Sequence, residues 1–350
     1  MQIDYLVVGQ GLAGSILADH LMDRGFSIRI VSNPSLSNSS LVAGGLYNPV
    51  TGRKLVKTWN CDNLFSYLIP YYRNLERKLG AKFLNELTIY RPFSNIEAQN
   101  EWMGKSADGS YDEYVEEVHT SSKYNKFIKD EFGGVLLKKS GYVDTAILVR
   151  SFESYFKKQG VLFQEKVEHE DFKMDDTEVE YKGGTYKGVI FCEGQLARHN
   201  PLFSWLPFKP VKGELIYVKT EHQPKVIYNR GVFVISKKNG VCKVGATYNN
   251  QNLTNLPTEE GKNELNRKLK ELIKFDYSIV DQKAGIRPAT KDRRPLIGNH
   301  PKLKNVYIFN GLGAKGVSLA PFYANQLVSN LNGEIELDTE VNIERYFSLF

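Results

Sequence analysis

Three cysteines in 350 residues, Cys61, Cys192 and Cys242, are too few and too widely spaced for a disulfide framework, and none sits in the paired CxxC spacing of a zinc site. A reducing compartment, the cytoplasm, is the expected location. Histidine is also scarce. The six, His20, His119, His169, His199, His222 and His300, stand apart and form no catalytic triad or metal-ligand pattern, so no metal is expected. No apolar run approaches the length that spans a bilayer. The first twenty residues contain no Lys or Arg and a glycine loop interrupts their apolar stretch, so they do not read as a secretory leader. Basic charge lacks blocks: 46 Lys and Arg against 40 Asp and Glu leave a net +6, scattered in pairs such as Lys138-Lys139 and Lys237-Lys238. That pattern is a solvated surface and not the arm of a nucleic-acid binder, which favours a small substrate.

What is present is ample material for a core, with 41% hydrophobic and 12% aromatic residues. The length suggests two domains, or one large α/β unit carrying an insertion. The most informative stretch comes first. Residues 3–8, IDYLVV, form a β-rich apolar run leading into Gly9-Gln10-Gly11-Leu12-Ala13-Gly14. A helical pattern (Ile16, Leu17, Leu21, Met22) follows, stopped by Gly25, and then a second strand from Phe26 to Val31.

Strand, GxGxxG, helix and strand within about thirty residues is the context of a dinucleotide-binding turn. There Gly9 allows the tight turn, Gly11 lets the backbone approach a pyrophosphate, and Gly14 lets helix and strand pack closely, while the helix N-terminus offers its N–H groups to the negative charge. The acidic residue that usually closes the second strand and accepts from the ribose hydroxyls is absent; Ser32 and Asn33 stand there, and either they bond to the ribose or later segments hold the adenosine half.

A second glycine loop, Gly311-Leu312-Gly313-Ala314-Lys315-Gly316, follows a strand at 305–310 and precedes a helix from Val317 to about Leu331. Only 34 residues lie beyond Gly316, too few for another nucleotide-binding half, so the loop is expected to return to the first nucleotide. Its N–H groups and helix dipole would face the reactive ring, where a reduced flavin carries negative charge; Lys315 adds to this field or is a surface lysine.

Several ordered segments now resemble the FAD-dependent amine and amino-acid oxidoreductases related to D-amino acid oxidase and glycine oxidase. VVGQGLAGS is similar to the opening fingerprint, KGVIFCEGQLA (187–197) to a central strand ending at the cofactor, and PVKGELIYV (210–218) to a PVRGQ segment. VCKVGATYN (241–249) is similar to a VGAT strand, AGIRPATKDRRPLIG (284–298) to an RP…D…P.IG signature, and GLGAKGVSLAP to a flavin-facing loop. The resemblance implies an α/β fold: a doubly wound, Rossmann-like FAD domain at 1–55, 140–210 and 284–350. An interleaved substrate domain at 56–139 and 211–283 would contain a mixed or antiparallel sheet.

It further implies contacts to FAD from Ala43, Gly44, Gly45 and Leu46, from Val167 at the adenine, from Glu193 and Gly194, and from Gly311, Gly313, Ala314, Lys315, Gly316 and Val317. FAD is expected to be non-covalent, because relatives that tether the ring use a cysteine in the C-terminal part and no cysteine follows Cys242. The catalytic residues expected are Arg287, as the fork that grips a substrate carboxylate, and Tyr248. In relatives a tyrosine stands beside that arginine; the matching position here is Phe233, which leaves the hydroxyl to Tyr248.

The implied reaction is oxidation of the C–N bond of a carboxylate-bearing amine or amino acid by hydride transfer to flavin N5, followed by hydrolysis of the imine. GLYNP, VGATYN and GLGAKGVSLAP are also similar to the branch whose FAD-dependent oxidase half acts on a carboxymethylaminomethyl-modified wobble uridine of tRNA. That partner is an alternative here, as is a flavoprotein subunit without turnover. The electron acceptor is not legible.

Overall fold

The computed structural model describes residues 2–36, 39–52, 54–107 and 109–350. Two large sheets organise it. In the first, Leu162–Gln164, Ile28–Ser32, Ile3–Val8, Gly184–Phe191 and Val306–Asn310 lie side by side and parallel, and Leu296–Asn299 closes one edge antiparallel. In chain order those parallel strands are the third, second, first, fourth and fifth, the doubly wound arrangement that leaves a crevice at the strands' carboxyl ends.

The strands are buried on both faces, as parallel sheets require. Alternation divides them: Val7, Ile30, Ile190 and Phe309 pack towards the helices Leu12–Asp23, Thr145–Lys158 and Gly316–Leu331. Leu6, Val8, Val31, Val189, Phe191 and Ile308 face the other way. That second face is covered by a two-stranded arm, Phe172–Met174 and Val179–Tyr181, and by the 3-10 turns Gly194–His199 and Ile343–Leu349.

Each helix follows from its sequence. Leu12–Asp23 buries Ile16, Leu17 and Leu21. Thr145–Lys158 begins at Asp144, whose carboxylate accepts from the Ile147 N–H at 3.2 Å, a cap on one of the unpaired first-turn donors. Cys61–Leu79 turns Leu64, Phe65, Leu68, Tyr72 and Leu75 inward at helical spacing, and the Tyr72 hydroxyl donates to the Val317 carbonyl at 2.8 Å. That bond ties it to the first turn of Gly316–Leu331. No helix among the described residues is long and apolar enough to cross a membrane.

The second sheet runs Ser278–Arg287, Val211–Lys219, Val241–Gly245, Val232–Ser236, Ile227–Arg230, Ile89–Pro92, Gly134–Leu137, Val115–His119. All neighbours are antiparallel except Ile227–Arg230 beside Ile89–Pro92. Its strands therefore come from two separated stretches of chain. The expected division at 283/284 falls inside Ser278–Arg287, which stays paired with Val211–Lys219 to its last residue, Arg287 opposite Val211. That ladder carries Arg287 from the second sheet to the carboxyl end of the first.

Candidate active site

Where the two sheets meet, the carboxyl ends of the parallel strands open into a cavity of about 630 Å³. Gly9, Gly11, Leu12 and Ala13 form one wall. Gly9 has φ +106°, and a methyl carbon on it would stand 2.6 Å from the Cys192 carbonyl oxygen. Gly14 lies behind the wall, where a methyl would come within 1.9 Å of the Gly9 oxygen; its role is helix-to-turn packing. The helix that starts at Leu12 has no side-chain cap at Gly11 and no acid in its first turn, so the positive end of its dipole is uncompensated. One donor there is satisfied: the Leu12 N–H bonds to Ser40 Oγ at 3.0 Å.

At one end of the cavity Ser32, Asn33, Val167, Glu193 and Gly194 all line the wall. Ser32 Oγ already accepts from the Gln10 N–H at 3.2 Å, and Asn33 Oδ1 accepts from the Ser35 N–H at 2.9 Å. Burial raises the Glu193 pKa, against the Asn200 hydrogen bond and the nearby His169. Among the described residues, three that line the cavity carry a buried polar atom with no hydrogen-bond partner: Thr145 Oγ1, His169 Nδ1 and Gln195 Oε1. Buried polar groups are ordinarily paired. An apolar ligand would leave these uncompensated; a nucleotide offers hydroxyls, phosphate oxygens and ring nitrogens, so the wall fits FAD. Sequence reading missed His169 and Thr145, which belong to no motif, and Gln195, which follows Glu193-Gly194 in the KGVIFCEGQLA segment without being singled out.

At the other end Ala43, Gly44, Gly45 and Leu46 meet Gly313, Ala314, Gly316 and Val317. Phe233 joins them; its ring is what a methyl on Gly44 would strike, at 2.6 Å. Two expected members stand back from the lining. Gly311 makes the turn against Leu296 and Thr290. Lys315 precedes the helix Gly316–Leu331, mostly buried, and burial, with Arg294 and Arg293 nearby, holds its amine below the usual lysine range. It does not form the wall.

Arg287 lines the cavity from the second sheet. Its Nη1 donates to the carbonyls of Thr247 at 3.2 Å and Lys212 at 3.4 Å. No Asp or Glu among the described residues pairs with it. Burial presses its pKa down and Tyr248 pulls it back up, and an arginine stays charged throughout. The guanidinium lies over Gly213, where a methyl carbon would be 2.0 Å from Nη2. Tyr248 itself is 67% exposed and outside the lining: it sits after the strand end, on the solvent side of the arginine. Asn255 takes a place in the lining that no motif indicated. Its loop is held by Lys212 Nζ, which donates to the Leu256 carbonyl at 2.6 Å, and by Glu214, which accepts from the Thr258 N–H at 2.9 Å.

A family model described as FAD dependent oxidoreductase (DAO) matches residues 4–329. The chain belongs to that family. This FAD dependent oxidoreductase is 23% identical, over 98% of its length and 97% of the relative's, to the uncharacterized oxidoreductase YurR of Bacillus subtilis (strain 168). It is 22% identical over 98% of its length to the tRNA 5-methylaminomethyl-2-thiouridine biosynthesis bifunctional protein MnmC of Idiomarina loihiensis, of which it spans 58%. Its fold matches glycine oxidase from Geobacillus kaustophilus with a TM-score of 0.79 over 96% of both chains, at 19% identity.

Proposed function

We propose that this oxidoreductase oxidises the C–N bond of a small amine that carries a carboxylate, with non-covalently held FAD. The observation that carries the reading is the guanidinium of Arg287: mostly buried, in the cavity wall, and without a carboxylate partner among the described residues. A buried cation of that kind is matched by an anionic ligand, and its fork suits a carboxylate bidentately. FAD, when bound, supplies the acceptor for a hydride from the carbon beside the nitrogen.

The protein's part is binding and orientation. Gly9, Gly11, Leu12 and Ala13 would hold the pyrophosphate. Ala43 to Leu46, Gly313, Ala314, Gly316 and Val317 would enclose the ring. Arg287 fixes the carboxylate, and Leu215, Phe233 and Ala246 keep the reacting carbon's surroundings apolar. No cysteine lines the ring end; Cys192 is at the glycine turn, which supports a cofactor held without a covalent tether. On this reading the segments of the first sheet carry FAD and those of the second carry the substrate, and three free, buried thiols accord with the cytoplasm.

The test compares kcat/KM for a carboxylated amine with that for the same amine lacking the carboxylate, in wild type and Arg287→Ala. Loss of the preference in the variant supports the assignment; an unchanged preference removes it. The similarity to MnmC supports a second carrier of the amine, a modified tRNA nucleotide, and tRNA retention that falls steeply with salt would shift the reading there.

A further inference from the structure

The doubly wound fold ordinarily ends its second strand with a carboxylate that accepts from the ribose of the nucleotide. Here that strand ends in Ser32. Ser32 and Asn33 are poor substitutes, since the oxygen of each already accepts a backbone N–H within its own turn or the glycine loop. The first strand has two neighbours, and Val8, its last residue, pairs with Val31 on one side and Phe191 on the other. The residues just beyond, Ser32 and Cys192-Glu193, therefore flank the glycine turn at the same height, and the Glu193 Cα is 3.6 Å from where a methyl on Gly9 would stand.

Resting on the reading that this cavity holds FAD, we propose that Glu193 is the ribose acceptor, moved from one neighbour of the first strand to the other. Glu193 lines the cavity, and its side chain is 12% exposed. Asn200 Nδ2 donates to Oε2 at 2.7 Å, fixing the group, whereas Oε1 faces His169 Nε2 at 3.5 Å. A carboxylate has roughly four lone-pair sites, so acceptor capacity remains for the two O–H donors of a vicinal diol. His169 comes from the segment that follows Leu162–Gln164 and contains Val167, which also lines this end; its Nδ1 is buried and has no partner. Glu193 and His169 thus bring a carboxylate and an unpaired ring nitrogen together where the adenosine would lie.

The test measures FAD and FMN affinity of the apoprotein by quenching of flavin fluorescence. Glu193→Gln is nearly isosteric and can still accept from Asn200. It should weaken FAD by roughly ten- to a hundredfold, the loss expected for hydrogen bonds to a charged group. FMN, which lacks the adenosine, should be unaffected. Placing an acid back with Ser32→Glu in the Glu193→Gln background should recover part of the FAD affinity. Should the variant fail to fold, wild type answers alone: an FAD analogue with a 2′-deoxyadenosine should bind about tenfold more weakly than FAD. FAD affinity unchanged in Glu193→Gln, FAD and FMN weakened equally, or the deoxy analogue bound as well as FAD each overturns the assignment. A wild-type protein that binds no FAD overturns instead the reading of the cavity on which the assignment rests.

Discussion

Gly213→Ala should disable the candidate active site while leaving the protein folded. Gly213 lies in the strand Val211–Lys219 opposite Gly285, an extended position that alanine adopts without strain. The three atoms nearest the methyl all belong to the arginine: 2.0 Å to Nη2, 2.3 Å to Cζ and 2.5 Å to Nη1. Ordinary contact needs about 3.5 Å, so the guanidinium must retreat by about 1.5 Å. That is enough to break its bonds to the Thr247 and Lys212 carbonyls at 3.2 and 3.4 Å and to misalign a fork with its carboxylate. The loss of a charge-assisted pair is worth about 1.5–3 kcal/mol, or roughly ten- to a hundredfold in kcat/KM.

Because a carboxylate is held alike before and during the chemical step, most of the loss should fall on KM. The assay is steady-state oxidation of a carboxylated amine beside its decarboxylated counterpart, with thermal unfolding as the control. Since the contacted atoms are the end of a flexible side chain, the unfolding temperature should move little. Wild-type kinetics in Gly213→Ala, or equal losses on both amines, would refute the placement of the carboxylate on Arg287.

Arg287→Lys should recover little of the activity lost in Arg287→Ala, because a lysine cannot reproduce the bidentate fork; near-complete recovery would reduce the site to a point charge. Gly14→Ala, whose methyl would stand 1.9 Å from the Gly9 oxygen, should displace the turn and yield protein with weak or no flavin absorbance after purification with added FAD. Burial holds the Lys243 pKa at about 8, with Asp144 opposing and Lys237 and Lys283 adding to the depression. Between that value and the ordinary lysine range the unfolded chain binds the extra proton. Stability should therefore rise with pH across that window, by up to about 3 kcal/mol, and Lys243→Met should flatten the rise in chemical-denaturation curves. If the amine lies on a modified tRNA, retention of tRNA should fall by orders of magnitude between low and physiological salt; salt-insensitive or absent retention excludes that carrier.

Much of the fold was readable because local signals agreed with the global one. The glycine turn, the helix behind it and the strands on either side announce themselves within thirty residues, and the terminal loop and helix repeat the pattern. The place of Arg287 at the cavity was readable through its GIRP setting. What escaped was set by packing between distant segments. His169 reaches Glu193 only because the segment after Leu162–Gln164 crosses to a strand three places away, and nothing in the residues around either predicts the encounter. Tyr248 looked like a partner because it follows the VGAT strand closely, yet the turn there directs it to solvent, where it touches the arginine's field but not the cavity. The 283/284 division was placed by motif, while the ladder between Ser278–Arg287 and Val211–Lys219 continues past it to Arg287 opposite Val211.

The most direct measurement is anaerobic titration of the FAD-loaded protein with small amines, followed by the flavin absorbance. Bleaching is expected with a carboxylated amine such as glycine or an N-substituted glycine, and none, or far slower bleaching, with the corresponding amine without the carboxylate. Bleaching by both at the same rate, or by neither while FAD is demonstrably bound, would contradict this expectation.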